Sequence, residues 1–180
     1  MHVHLDPQGS TLPALVASGI TGIREMYSGI PIATLAAWRA RPENPRIVAA
    51  GFLDGPLLLT AGTVPPDAYA VGTTEQARLA VDSLAAGGAD FLKVYNSLPR
   101  DAYFAIAQES RRLGIPFAGH VPEAVSPAEA SDAGQRSQEH LINILLACST
   151  REKALREQRI LMMNDPAISA EERIAAARVS

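Results

Sequence analysis

Short apolar runs alternate with longer stretches of helical period along most of this chain. The strand candidates are Gly22 to Tyr27, Arg46 to Leu53, Asp90 to Asn96, Ile115 to Val121 and Ser137 to Asn143, and residues 1 to 5 read as the last part of an earlier strand. The helices between them carry end signals. Thr73-Thr-Glu-Gln76 opens one that Gly87-Gly88 stops, Pro99 to Leu113 ends at Gly114, and Ser126-Pro-Ala-Glu129 is a capping box closed by Gly134. Ser10 to Ser18 and Pro31 to Arg41 read as shorter helices, and Thr150 to Met163 and Ser169 to Val179 as charged amphipathic ones. Asp54 to Gly72 is rich in Gly and Pro, lacks a period and is long for a βα loop, so it is expected to cover a site.

Strand and helix in alternation predict a parallel α/β sheet. Six such units point to a partial TIM (β/α)8 barrel, with a smaller open sheet as the alternative. A complete barrel needs about 250 residues, and this chain has 180. The expected organisation is a partial barrel core over 1–148 and a helical extension of the same domain over 149–180. At 47% hydrophobic and 19% charged, the chain can bury one core. Net charge is -3 with both signs mixed, so no nucleic-acid or polybasic membrane surface is expected. The one cysteine, Cys148, excludes an internal disulfide and is expected to be buried. Compartment stays open, and so does a homo-oligomer.

The chemistry lies in the histidines. All four, His2, His4, His120 and His140, stand at ends of strand candidates. Catalytic groups of a parallel barrel project from such ends. His2 and His4 are two apart, so on a strand they face one way and can reach one ion, although a lone His-x-His is also what chance or a tag would leave. Lys93, one of only two lysines, interrupts the apolar run Asp90-Phe-Leu-Lys-Val-Tyr95. An amine there either snorkels to water, forms a Schiff base, or takes up carbon dioxide as a carbamate that bridges metal ions. The nearby histidines favour the carbamate.

Met1-His-Val-His-Leu5, Gly19-Ile-Thr-Gly-Ile-Arg24, Phe91-Leu-Lys-Val-Tyr95, Gly119-His-Val-Pro122 and Gln138-Glu-His-Leu141 together resemble the amidohydrolase superfamily, within it the imidazolonepropionase-like and Xaa-Pro-dipeptidase-like enzymes. The resemblance implies two divalent metal ions, zinc first among them. His2 and His4 would bind one ion, His120 and His140 the other, and carboxylated Lys93 would bridge them, with Lys93 and His140 as the catalytic residues. It implies hydrolysis of a carbon–nitrogen bond in a small-molecule substrate (an amide, cyclic amide or dipeptide) by hydroxide held between the ions. A Schiff-base lyase or aldolase using Lys93, and a non-catalytic remnant, are the alternatives.

The chain also departs from that pattern. The family's eighth strand ends in an aspartate that serves as general base, and no counterpart stands here. Asp165 is the only aspartate after His140, and it lies between two helix candidates. The family's N-terminal β-sandwich has no counterpart either. The expectation is a fragment, weakly active or inactive alone. Around the centre, Arg24 and Glu25 are expected either to support the ligands or to form an exposed ion pair, Tyr95 either to line the pocket or to pack in the core, and Glu139 to lie outside the barrel mouth, since it precedes a ligand on the opposite strand face.

Overall fold

The computed structural model describes residues 1–61, 64–165 and 167–169. The helix expected over Ser169 to Val179 lies outside them, save for its first residue. Six strands form one parallel sheet: β1 (His2–Val3), β2 (Gly22–Glu25), β3 (Arg46–Asp54), β4 (Ala68–Ala70), β5 (Phe91–Val94) and β6 (Phe117–Gly119). The order is β1-β2-β3-β5-β6, with β4 beside the far end of β3. One edge of β3 serves β2 through Arg46 to Ala49 and β4 through Phe52 to Asp54, while β5 pairs with Ala50 to Leu53. The sheet curls into a half-barrel with helices outside it.

The helices follow from their caps and stripes. In α3 (Thr74–Ala86), the Thr73 side chain accepts from the Gln76 N–H, and Ala77, Ala80, Val81 and Leu84 make one buried stripe at helical spacing. α4 (Arg100–Leu113) turns Ala102, Tyr103, Ile106 and Ala107 inward and ends on Gly114 at φ +69°. Both stripes close over Leu53, Leu92, Val94 and Phe117 on the outer sheet face. Each fully buried Leu or Ile contributes about 1.5–3 kcal/mol. α1 (Leu12–Ala17) and α2 (Ile32–Arg39) pack on β2 and the start of β3 through Leu12, Leu35, Ile23 and Ile47. The inner face holds Met26, Ala50, Phe91 and Ala118. The capping box of α5 (Pro127–Asp132) forms as expected, with Ser126 and Glu129 bonded reciprocally.

Three expectations fail. Ser137 to Asn143 is not a strand. Only Gln138 bridges to Gly119, after which Glu139–Leu141 is a 3₁₀ turn with His140 at φ +61° and Leu141 at φ +55°. The following apolar run folds as α6 (Ile144–Ala147), then α7 (Glu152–Asn164). Asp54 to Gly72 is not featureless: Pro56–Ala61 is a 3₁₀ helix, and β4 follows. Cys148 is exposed rather than buried. Among the described residues, no helix is long and apolar enough to cross a membrane.

Candidate active site

Parallel pairing carries the C-terminal strand ends to one rim, where the expected residues arrive from four segments. β1 brings His2 with His4 just beyond it, β5 brings Lys93, β6 delivers His120, and the 3₁₀ turn brings His140. Gly119 makes the approach of β6 feasible. Its φ is +132°, and a Cβ there would lie 2.2 Å from the Val94 carbonyl oxygen. The next residue, His120, donates its backbone N–H to that same oxygen at 3.0 Å.

The rings form a chain. Ring centres are 5.1 Å apart for His2 and His4, 5.0 Å for His2 and His140, and 5.0 Å for His120 and His140. Three of the four have a partner at Nδ1: Glu139 Oε2 at 2.7 Å for His2, the Tyr27 carbonyl at 3.0 Å for His4, and Asn96 Oδ1 at 2.7 Å for His120. That fixes ring orientation and directs each Nε2 the other way. The His2 and His4 Nε2 atoms are 3.2 Å apart. Donor nitrogens sharing one tetrahedral zinc at about 2.0–2.1 Å lie roughly 3.3–3.4 Å from each other.

Electrostatics favour bare nitrogens. Burial, then the charges of Lys93, His140 and His2, holds His120 down at about 3. Burial, with His2 and Lys93, lowers His140 as well. Lys93 is 3% exposed and donates to the Met26 carbonyl at 2.8 Å. Burial lowers its pKa, and Glu25 and Glu139 pull the other way. Its Nζ stands 5.5 Å from the Tyr95 ring centre. Tyr95 in turn packs on His120 with ring centres 4.1 Å apart, so it borders the site.

Glu139 corrects the expectation that it lies outside the mouth. Its two oxygens meet His2 at 2.7 Å and Arg24 at 3.0 Å, and Ser137 Oγ donates to it at 2.5 Å. The parity argument assumed a strand, and the left-handed His140 backbone removes that parity. Burial opposes ionisation of Glu139, but the Ser137 and His2 bonds and the Arg24 charge outweigh it and hold the carboxyl at about 2. Arg24 pairs with Glu139 and not with its neighbour Glu25. Glu25 is 1% exposed and accepts from the Tyr27 N–H and from Ser28 Oγ. Asn96 was missed, and its signal was a polar side chain three residues after Lys93 where the strand ends. Asp54, at the end of β3, accepts through Oδ1 from Gly55 N–H and from the N–H and Oγ of Ser97.

Among the described residues, no three His, Cys, Asp or Glu side chains surround one point as a metal cage. The four imidazoles stand as one chain of neighbours, with His140 equally close to His2 and His120. A cavity of about 710 Å³ lies elsewhere, beside the start of β6 between α4 and α5.

No family model matches the sequence, and no curated protein matches it significantly. Solved structures do match. A bottromycin amidohydrolase is 24% identical with a TM-score of 0.57, over 98% of this chain and 52% of its own. A putative prolidase from Bifidobacterium longum is 25% identical with a TM-score of 0.54, over 73% of this chain and 36% of its own. A Xaa-Pro dipeptidase with methionine bound in its active site is 19% identical with a TM-score of 0.59, over 99% of this chain and 59% of its own. The chain spans 36–59% of the length of these structures, and over the matched part it has the partial-barrel fold of the amidohydrolases.

Proposed function

We propose that this chain carries the metal-binding half-barrel of a hydrolase that cleaves carbon–nitrogen bonds in small amides, cyclic amides or dipeptides. One observation supports the reading above the others: four imidazoles and one buried amine, from segments up to 138 residues apart in sequence, meet at the C-terminal rim of one parallel sheet. The donor set fits the group. His2 and His4 present Nε2 atoms at the spacing of a shared ion, and His120 is held neutral by its surroundings. Bound divalent ions would activate water and polarise the substrate carbonyl.

The chain's own residues do the rest. His2 and His4 would hold one ion, and His120 and His140 the other. The Lys93 amine, its pKa lowered by burial, adds to the carbon of carbon dioxide. An N–C bond forms, one nitrogen proton is released, and the resulting carboxylate would offer oxygen donors beside the histidines. Arg24, Tyr95 and Asn96 orient these groups. The aspartate that serves the family as general base has no counterpart among the described residues at this rim. Hydrolysis by the chain alone is therefore slowed by about 10²–10⁴.

The test is elemental analysis of the purified chain after exposure to zinc and bicarbonate, with ¹³CO₂ labelling of Lys93 and a panel of dipeptides, N-acyl amino acids and lactams. Two zinc ions per folded chain and a carbamate carbon signal are expected. A folded chain that retains no zinc ends this reading. The lowered pKa of Lys93 also suits a Schiff base. Trapping of a carbonyl substrate on Lys93 by borohydride would select that second reading.

A further inference from the structure

His2 and Arg24 are cross-strand partners in the β1–β2 pair. Both reach across the half-barrel to one carboxylate, and each takes its own oxygen: Glu139 Oε2 is 2.7 Å from His2 Nδ1, and Oε1 is 3.0 Å from Arg24 Nη2. Ser137 closes the set, donating to Oε1 at 2.5 Å and accepting from Arg24 Nη1 at 3.1 Å. The Glu139 side chain is 10% exposed. A purely structural ion pair would need Arg24 alone. Here the second oxygen is committed to the imidazole.

The backbone adds a second observation. On a strand, successive side chains point to opposite faces. His140 has φ +61°, and both its ring and the Glu139 carboxylate face His2, the ring with centres 5.0 Å apart. The same turn therefore holds His2 through Glu139 and supplies His140.

The geometry points to Glu139 as a positioning residue: it fixes His2 with Nδ1 protonated and Nε2 bare and turned to His4, and it ties the His2/His4 pair to the His120/His140 pair. The purpose of this device rests on the metal-site reading, but its existence does not. The carboxylate accepts the hydrogen bond from Nδ1–H, so Nε2 keeps its lone pair. Arg24 keeps the carboxylate aimed, and acts on His2 only through it.

Two measurements on the full chain separate the claims. Long-range ¹⁵N–¹H spectra of metal-free, histidine-labelled protein read the His2 tautomer directly. The Nδ1–H form is expected in the wild type, with a shift toward Nε2–H in Glu139→Gln and a partial shift in Arg24→Met. Zinc titration is then expected to show about 10–100-fold weaker binding in Glu139→Gln. The Nε2–H form in the wild type, which needs no variant to fold, overturns the assignment. An unchanged tautomer in a folded Glu139→Gln does so too. If the wild type shows the expected tautomer but takes up no zinc, the hydrolase reading fails and the positioning role stands.

Discussion

Tyr103→Phe removes one oxygen from a fully buried ring and tests what holds the His120 limb. Tyr103 is 0% exposed, and its hydroxyl donates to Gln135 Oε1 at 2.6 Å. The Gln135 amide nitrogen serves the carbonyls of Gly119 at 3.0 Å, Ser137 at 3.0 Å and His120 at 3.4 Å. One glutamine thus ties α4 to the two segments that carry His120 and the Glu139–His140 turn. Phenylalanine keeps the edge contacts with Phe104 and Phe117 at 5.4 and 5.9 Å between ring centres, so no cavity term beyond one oxygen arises. The cost is that of a buried acceptor left unpaired, about 1–3 kcal/mol. In a chain of this size that lowers Tm by roughly 2–4 °C per kcal/mol. Gln135→Leu removes the acceptor together with the amide donors to all three carbonyls and is expected to cost more, about 2–5 kcal/mol. The two losses share one network, so the double variant falls little below Gln135→Leu alone. Urea unfolding followed by circular dichroism gives all three values. Zinc titration adds the site readout: Tyr103→Phe stays within about threefold of the wild type, since the amide donors survive it, while Gln135→Leu weakens binding further. A Tyr103→Phe loss below about 0.5 kcal/mol, or losses that add in full, would refute the argument.

Gly119→Ala places a Cβ 2.2 Å from the Val94 oxygen and 2.9 Å from its nitrogen, atoms fixed in the ladder, and is expected to cost about 2–6 kcal/mol by urea melt; a loss under 1 kcal/mol would count against the close β5–β6 approach. Stability in chelator-treated protein should fall with acid. His120 stays neutral to about 3, whereas the unfolded chain takes the proton near 6.5, so this contribution is complete above pH 6.5 and is lost as pH drops through that window, by at most about 1.4 kcal/mol per unit. Urea melts from pH 7 to 5 check it, and a His120→Gln variant with the same slope as the wild type would reject the assignment. Lys93→Met should fold within about 1.5 kcal/mol of the wild type, because an apolar chain replaces a desolvated amine, yet lose the carbamate signal and metal stoichiometry by elemental analysis.

The legible parts of the fold were those that local chemistry decides. The runs over Arg46 to Leu53 and Asp90 to Asn96 contain β3 and β5, and Thr73, Ser126 and Gly114 mark real helix ends. β4 escaped notice because Ala68–Ala70 is too short to show a period, and its place comes from pairing with the far end of β3. The turn at Glu139 escaped for a different reason. Its sequence is apolar enough for a strand, but His140, Leu141 and Asn143 all adopt positive φ, which no rule of composition anticipates for a leucine. That misreading carried Glu139 to the wrong face, while the apolar run Leu141 to Cys148 made Cys148 look buried. Leu141 and Leu145 are in fact 70% and 67% exposed, and Asn143 is fully buried, the reverse of what hydropathy implies. The histidines and Lys93 were legible because their types are scarce in this chain. Their hydrogen-bonding neighbours were not, since Asn96 and Glu139 are common residues whose roles depend on where the chain returns.

The composition of the rim carries its own argument for Lys93. Each nearby carboxylate already has partners: Glu25 accepts from Tyr27 and Ser28, and Glu139 from His2, Arg24 and Ser137. Neither is free to complete a histidine pair, so under the proposed function a third ligand would come from another group. The amine of Lys93 now works against the cluster, since its charge helps lower both His120 and His140. As a carbamate it would reverse sign, remove that repulsion and present oxygens to both pairs in one change. A buried lysine at this position is a poor choice for packing, because burial disfavours its charge. It becomes a reasonable one where the bare amine has a reaction to perform, and the surroundings that destabilise its cation are the ones that make it reactive.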